Sequence, residues 1–336
     1  MSRLARPLRV ALALAAAALT MRASGSDVAS LRGDLRAHDP SSIVKQGERY
    51  YLFSTGWGMR TKHSDDLVSW SEGAPVFARD AAPPWTRQVA PGIRGHYWAP
   101  DVVRHGDRYR LYYSVSRFGK QTSAIGLAES ASLDTGWEDR GVVIQSRAGD
   151  PYNAIDPSVL IASDGRHWMA FGSFWDGVHL TELDPATGRR RDASYEPRRI
   201  ASAKEIEAPT LLERDGWHYL FVNHGLCCRG VDSTYRVLVG RSERVEGPYL
   251  DKEGRPLTEG GGAPFLASEA PRIGPGHIAP LADSQGDRFA FHYYDGDDRG
   301  RSKLALARWR WSSDGWPAAT NVQLASPDVN RPSPTR

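Results

Sequence analysis

Between residues 43 and 311 short apolar runs alternate with polar turns, and their period is that of strands rather than helices. Ile43 and Val44 lead through Gly47 to Tyr50, Tyr51, Leu52 and Phe53, which reads as strand, tight turn, strand. Val102 and Val103 lead through Gly106 and Asp107 to an apolar run at 109–114 in the same way. The pattern returns from Val159 through Gly165 to 168–173, from Leu211 through Gly216 to 219–222, and from Leu281 through Gly286 to 289–294. Short Gly/Asp turns between aromatic and β-branched runs are the signature of hairpins.

A third strand follows the hairpins, as at 124–128 and 236–240, and Trp70, Trp137, Tyr249 and Trp311 signal a fourth. The unit recurs roughly every 50–70 residues, the span of a four-stranded blade with its loops. Five such units predict an all-β fold, a five-bladed β-propeller occupying residues 26–336 as one domain. An all-β sandwich is the competing architecture. The absence of a long helix-period segment after residue 25 argues against a Rossmann fold or an α/β barrel.

Each unit opens on a related motif. His38-Asp39-Pro40 precedes the first, Asn153-Ala154-Ile155-Asp156-Pro157 the third and Glu207-Ala208-Pro209 the fourth. Trp98-Ala99-Pro100-Asp101 and His277-Ile278-Ala279-Pro280 are looser copies. A propeller gathers the starts of its innermost strands around one channel, so Asp39, Asp156 and Glu207 are expected to meet there. Carboxylates that close cannot all ionise freely, and at least one keeps its proton to higher pH. One protonated and one ionised carboxyl is what cleavage of a glycosidic bond requires. A single Asp-Pro is ordinarily a turn former; three acids at matching repeat positions turn the reading towards catalysis.

Trp57, Tyr97, Trp98, Phe118, Phe174 and Trp175 surround these acids with rings on which the apolar faces of sugars can stack. Packing within the propeller is the competing use of each ring. His277, in a Gly/Pro loop, reads equally as a metal ligand, a base or a packed imidazole. One histidine is not a metal site by itself, so water or carboxylates would have to complete the shell.

Upstream, Arg3, Arg6 and Arg9 lead into an Ala/Leu run over 10–19 that is too short to span a bilayer. This predicts a secretory signal over residues 1–25, cleaved between Ala23 and Ser26, with a short signal anchor as the alternative. The leader's four arginines exceed the whole net charge of +3, so the mature chain is not basic and nucleic-acid binding loses its support. No later segment is apolar for long enough to cross a membrane. A secreted or periplasmic monomer is expected. The two cysteines, Cys227 and Cys228, are adjacent; they lack the further ligands of a zinc site and read as free or vicinally bridged residues near a pocket.

With these residues in place the sequence resembles glycoside hydrolase family 43, and within it the endo-1,5-α-L-arabinanase branch. The resemblance runs from about Ala37 to Trp311 and rests on His38-Asp39-Pro40, Tyr97-Trp98-Ala99-Pro100-Asp101, Phe118-Gly119-Lys120 and Asn153-Ala154-Ile155-Asp156-Pro157. Further anchors are Ser173-Phe174-Trp175-Asp176-Gly177, Ile206-Glu207-Ala208-Pro209 and Cys227-Cys228-Arg229-Gly230. It implies a five-bladed propeller and an inverting hydrolase of arabinan, with Asp39 as general base, Glu207 as general acid and Asp156 keeping the pKa of Glu207 raised. It also implies that Trp98, Phe118, Gly119, Asn153, Ser173, Phe174 and Trp175 contact the sugar, and that His277 lies near a bound metal, usually calcium. Ile278 and Ala279 depart from the polar pair that relatives more often carry there. An exo-acting arabinofuranosidase or a xylosidase on the same fold, and a non-catalytic carbohydrate-binding propeller, are the alternatives. The insert 77–95 is long enough to block one end of a cleft, as exo action would require.

Overall fold

A computed structural model describes residues 29–78, 81–282 and 286–326 of the chain. The expected leader lies outside them. Five sheets of four or five strands, antiparallel apart from one short outer pair, make a five-bladed β-propeller. The innermost strands are Val44–Gln46, His96–His105, Ser158–Ile161, Ile206–Arg214 and Arg272–Pro280. Each turns back through the expected hairpin into Arg49–Ser54, Arg108–Val115, His167–Phe171, Trp217–His224 and Arg288–Asp295 respectively. The fifth inner strand ends at Pro280, one residue ahead of the predicted start at Leu281. Trp311 closes the third strand of its blade, Arg301–Trp311, and Tyr249 precedes the fourth, Ala263–Leu266. Both rings pack in seams rather than mark strand order, which is why they misplace the outer strands. The insert carries a short helix, Trp85–Val89, against blade 2.

The core is a set of seams between neighbouring blades. Phe53, Tyr97 and Tyr113 fill the seam between blades 1 and 2, and Tyr112, Met169 and Phe171 the next. Phe221, Phe289 and Trp309 pack between blades 4 and 5, and Leu52, Ala290 and Leu304 between 5 and 1. Tyr97, expected near substrate, is fully buried in this way, edge-on to Tyr113 and Phe77.

Side chains at the inner strands tie the blades into a ring. Asp101 accepts from the amides of Ser42 (3.1 Å) and Val159 (2.7 Å), joining blades 1, 2 and 3. Ser158 Oγ accepts from Leu211 N–H, and Thr210 Oγ1 donates to Ile278 O. Ile43 N–H donates to Pro280 O, which closes the ring. On the outside, the segment before blade 1 ties that blade to the residues that follow the last strand of blade 5. Arg32–Gly33 pairs in parallel with Ser69–Trp70, while Leu31 exchanges hydrogen bonds with Leu324 and Ser326. Gly33 is required there: its φ is +91°, and a Cβ would lie 2.1 Å from Trp70 O.

Candidate active site

In blades 2, 4 and 5 the repeated motif belongs to the inner strand itself, because each of those strands is bulged. Pairing slips between Trp98 and Asp101, between Glu207 and Thr210, and between Gly276 and Ala279. His277 therefore lies within the fifth inner strand and not in a loop ahead of it. Within each copy of the motif one residue takes a left-handed backbone: Asp39 (φ 48°), Ala99 (38°), Asp156 (58°), Ala208 (50°) and His277 (58°). Non-glycine residues held there store strain on the order of 1–3 kcal/mol, and bulges re-aim side chains next to active sites. These angles also correct the sequence alignment. Asp39 and Asp156 are equivalent, but the matching residue of blade 4 is Ala208, with Glu207 one position earlier. In blade 5 the matching residue is His277.

Asp39 is held on several sides. His38 Nδ1 lies 2.8 Å from its Oδ2, Thr55 Oγ1 donates to the same oxygen at 2.7 Å, and the Asp39 amide donates to His292 Nδ1 at 3.1 Å. The other oxygen, Oδ1, faces His292 Nδ1 at 3.6 Å and His277 Nδ1 at 3.7 Å. Burial pushes the carboxyl pKa up, but the imidazoles of His38, His277 and His292 outweigh it and hold Asp39 well below the usual carboxylate range.

Asp156 and Glu207 have the opposite character. Asp156 is buried, its amide donates to Ser114 Oγ, and Oδ2 accepts from Ala208 N–H. Glu207 accepts from Tyr235 Oη at 2.6 Å and from Ser173 Oγ at 2.7 Å. Burial raises both carboxyls. The charges of Glu207 and Asp39 raise Asp156 further, whereas the Tyr235 and Ser173 hydrogen bonds partly restrain Glu207. The two titrate as a coupled pair that keeps a proton above the ordinary carboxylate range. The site thus holds an ionised carboxylate at one place and a protonated carboxyl at another.

The remaining candidates fall into four groups. Ser173 joins Glu207 directly; Asn153 is buried on the approach to Asp156 with its Oδ1 unpartnered. Phe174 and Trp175 form a left-handed turn beside the strand of Glu207, with Phe174 N–H on Ile206 O and Trp175 47% exposed. Phe118 and Gly119 sit at the tip of a blade 2 loop, where Phe118 is 83% exposed. Trp98 donates from Nε1 to His96 Nδ1, and His96 is edge-on to Trp57, which is 59% exposed. These three rings, with Ile93 and Arg94 of the insert and Arg117, line a cavity of 460 Å³.

His277 is buried, its amide donates to Asn223 Oδ1, and its Nδ1 has no hydrogen-bond partner. Among the described residues, donor atoms within 4.8 Å of one another occur at His38, Asp39 and His292 and at His38, Cys227 and Cys228; His277 belongs to neither group. Cys227 and Cys228 are bridged to each other, so they offer no thiolate. Sequence reasoning missed Thr55, Tyr235, His292 and Tyr294 as parts of the site. Their signal is a polar group within an otherwise apolar strand or at its end, which reads as ordinary until the fold places it.

A family model for glycosyl hydrolases family 43 matches residues 33–317. An extracellular exo-α-(1→5)-L-arabinofuranosidase from Cellvibrio japonicus is 38% identical over 94% of this chain and 93% of its own length. An extracellular endo-α-(1→5)-L-arabinanase from Bacillus subtilis is 40% identical, covering 84% of this chain and 87% of its own. The solved structure of a Cellvibrio cellulosa α-L-arabinanase complexed with arabinohexaose superposes with a TM-score of 0.79, at 38% identity over 85% of this chain and 95% of the other. The fold, the buried carboxylates of the inner-strand motifs and these matches agree, and the chain belongs to glycosyl hydrolase family 43.

Proposed function

We propose that the protein is an inverting arabinanase that cleaves internal α-1,5-L-arabinofuranosidic bonds. The observation that carries the reading is the split in the site, with Asp39 held ionised and the Asp156–Glu207 pair holding a proton. Asp39 takes a proton from water as the water oxygen bonds to the anomeric carbon. The bond to the leaving oxygen breaks, and that oxygen takes the proton of Glu207. Asp156 keeps Glu207 protonated. Inversion calls for base and acid about 6.5–9.5 Å apart, with the water between them. Asn153, Ser173, Phe174, Trp175 and Trp98 bind the sugar, and Phe118 with Gly119 meets it from the loop tip. Arabinan as substrate is supported by the names of the relatives. Export by the leader and action as a secreted or periplasmic monomer complete the reading.

A calcium ion near His277 fits the residues present. The buried, unpartnered Nδ1 of His277 would offer one ligand atom, and water would have to supply the oxygens a hard cation prefers. Bound there, it supplies a fixed positive charge beside the base.

Exo action is the second reading, favoured by the insert wall at Ile93 and Arg94 beside Trp57 and by the likeness to the Cellvibrio arabinofuranosidase. Product analysis on linear arabinan decides between them. A ladder of oligosaccharides from the first minutes is expected, and monosaccharide alone from the start defeats the internal cut. If Asp39→Ala and Glu207→Ala both keep wild-type turnover, the assignment of base and acid is wrong; a wild-type protein that binds arabinan without cleaving it is a carbohydrate-binding propeller.

A further inference from the structure

We infer that two hydrogen-bond relays, each anchored on a backbone N–H, saturate Oδ2 of Asp39 and leave Oδ1 as the oxygen that works on water, with Thr55, His38 and Tyr294 as positioning residues. The inference rests on Asp39 being the base, and it goes further by naming the oxygen and what selects it.

The first relay begins at Ala99. Its amide donates to Thr55 Oγ1 at 2.9 Å. A backbone N–H can only donate, so the hydroxyl oxygen is taken as an acceptor and its single proton is free to point elsewhere. It points at Asp39 Oδ2, 2.7 Å away. Ala99 owes its position to the left-handed turn of blade 2, equivalent to that of Asp39 itself.

The second relay begins at the vicinal disulfide. Cys228, left-handed at φ 67° and bridged to Cys227, donates its amide to Tyr294 Oη at 2.6 Å. Tyr294 Oη lies 2.9 Å from His38 Nε2, and His38 Nδ1 lies 2.8 Å from Asp39 Oδ2. An ionised carboxylate accepts only, so Nδ1 carries the proton towards Asp39. In neutral His38 the opposite nitrogen is then an acceptor, matched by the Tyr294 hydroxyl proton. His292 stacks on His38 with ring centroids 4.2 Å apart and fixes its plane.

Oδ2 therefore takes two donors, while Oδ1 takes none among the described residues. Its near neighbours are ring nitrogens at 3.6 and 3.7 Å, beyond hydrogen-bond reach. One of them, His292 Nδ1, already accepts from the Asp39 amide and carries no proton in that arrangement. The carboxylate cannot rotate without breaking both relays, so the unpaired lone pairs of Oδ1 face one direction. Such fixing acts on the reaction step rather than on sugar binding, since none of the three positioning residues needs to touch the sugar.

Thr55→Val keeps the shape and removes the hydroxyl; Thr55→Ser keeps the hydroxyl; Tyr294→Phe cuts the second relay. Steady-state kinetics on linear arabino-oligosaccharides, with thermal melting to confirm folding, test the set against Asp39→Asn. Thr55→Val and Tyr294→Phe should each lower kcat about 10- to 100-fold with KM within about twofold, while Thr55→Ser stays near wild type. Unchanged kcat in both Thr55→Val and Tyr294→Phe overturns the relays while leaving Asp39 as base, provided Asp39→Asn is inactive. An equal loss in Thr55→Ser and Thr55→Val, or a loss confined to KM, also overturns them. Wild-type turnover by Asp39→Asn instead removes the base itself. Should one valine or phenylalanine variant fail to fold, the other decides alone.

Discussion

The backbone amide of Ala208 donates to Asp156 Oδ2 at 3.2 Å, so the residue next to one buried carboxyl is hydrogen-bonded to the other. This bond spans blades 3 and 4 and fixes the spacing at which Asp156 and Glu207 act on each other's protons. The charge of Glu207 raises Asp156, and the two titrate as a coupled unit rather than as two independent acids.

Removing Asp156 should therefore be felt at Glu207. In Asp156→Ala the neighbouring carboxyl is gone, and with it the coupling through which the pair keeps a proton to higher pH. Glu207 then gives up its proton at lower pH, and activity that depends on the protonated form declines earlier. The expected outcome is a descending limb of the kcat/KM profile displaced to acid, with the maximum rate lower by about 10²–10⁴-fold. A full pH–rate profile of Asp156→Ala against wild type measures both. An unmoved limb would show that Asp156 does not modulate the acid.

Tyr235→Phe should move the same limb the other way. The phenol donates to Glu207 Oε1 at 2.6 Å and favours the ionised carboxylate. Without that donor Glu207 holds its proton to higher pH, so the descending limb shifts to alkaline. Opposite displacements by Asp156→Ala and Tyr235→Phe, measured on one substrate, would assign the limb to Glu207. Shifts in the same direction would contradict that assignment.

The blades and all three acids were legible because their signals are local. A Gly/Asp turn between apolar runs, or an Asp before proline at the mouth of a strand, keeps its meaning within ten or so residues. Glu207 was found, but its offset from Asp39 and Asp156 was not, since the bulge between Glu207 and Thr210 exists only in pairing with the second strand. His292 and Tyr294 were hidden for a related reason. They alternate with Phe291 and Tyr293 in a strand that reads as uniformly aromatic, and only its place in blade 5 turns one face towards Asp39. Tyr97 failed in the opposite sense: beside Trp98 in sequence, it points into the seam because neighbouring strand residues face opposite ways.

Gly276 offers a test of how tightly the acid side is packed. A Cβ on this residue would lie 2.4 Å from both Asn223 Nδ2 and Tyr235 Cδ1. Asn223 holds the amide of His277, and Tyr235 holds Glu207. Gly276→Ala should displace one or both, lowering kcat by about 100-fold for a displacement on the order of 1 Å. The paired variant Gly216→Ala controls for backbone strain alone, because it is left-handed at φ +78° and a Cβ there meets nothing within 4 Å. Melting temperatures of the two, read beside their rates, separate loss of fold from loss of alignment. A Gly276→Ala enzyme with wild-type kcat would mean that the packing can relax without touching Glu207.

The last prediction concerns closure of the ring, away from the chemistry. Lys62 is completely buried on blade 1, and its ammonium reaches Asp34 Oδ1 at 3.1 Å and Asp34 O at 3.0 Å. Asp34 follows directly on the Arg32–Gly33 strand that bridges to the C-terminal segment. Burial lowers the Lys62 pKa, and the Asp34 charge opposes that fall. Asp34→Ala leaves an ammonium buried beside only a carbonyl, and breaking a buried pair from one side costs on the order of 3–5 kcal/mol. Asp34 is itself partly exposed and Arg60 shares it at 3.3 Å, so a loss of about 2 kcal/mol is expected, seen as a lower midpoint in urea. Replacing Lys62 by methionine in the same chain removes the stranded charge and should restore most of the loss. Rates on arabinan should stay at wild type in both variants while the fold is intact, since neither residue reaches the channel. Failure of methionine to restore stability would place the weakness in the lost strap contacts of Asp34 rather than in the buried charge.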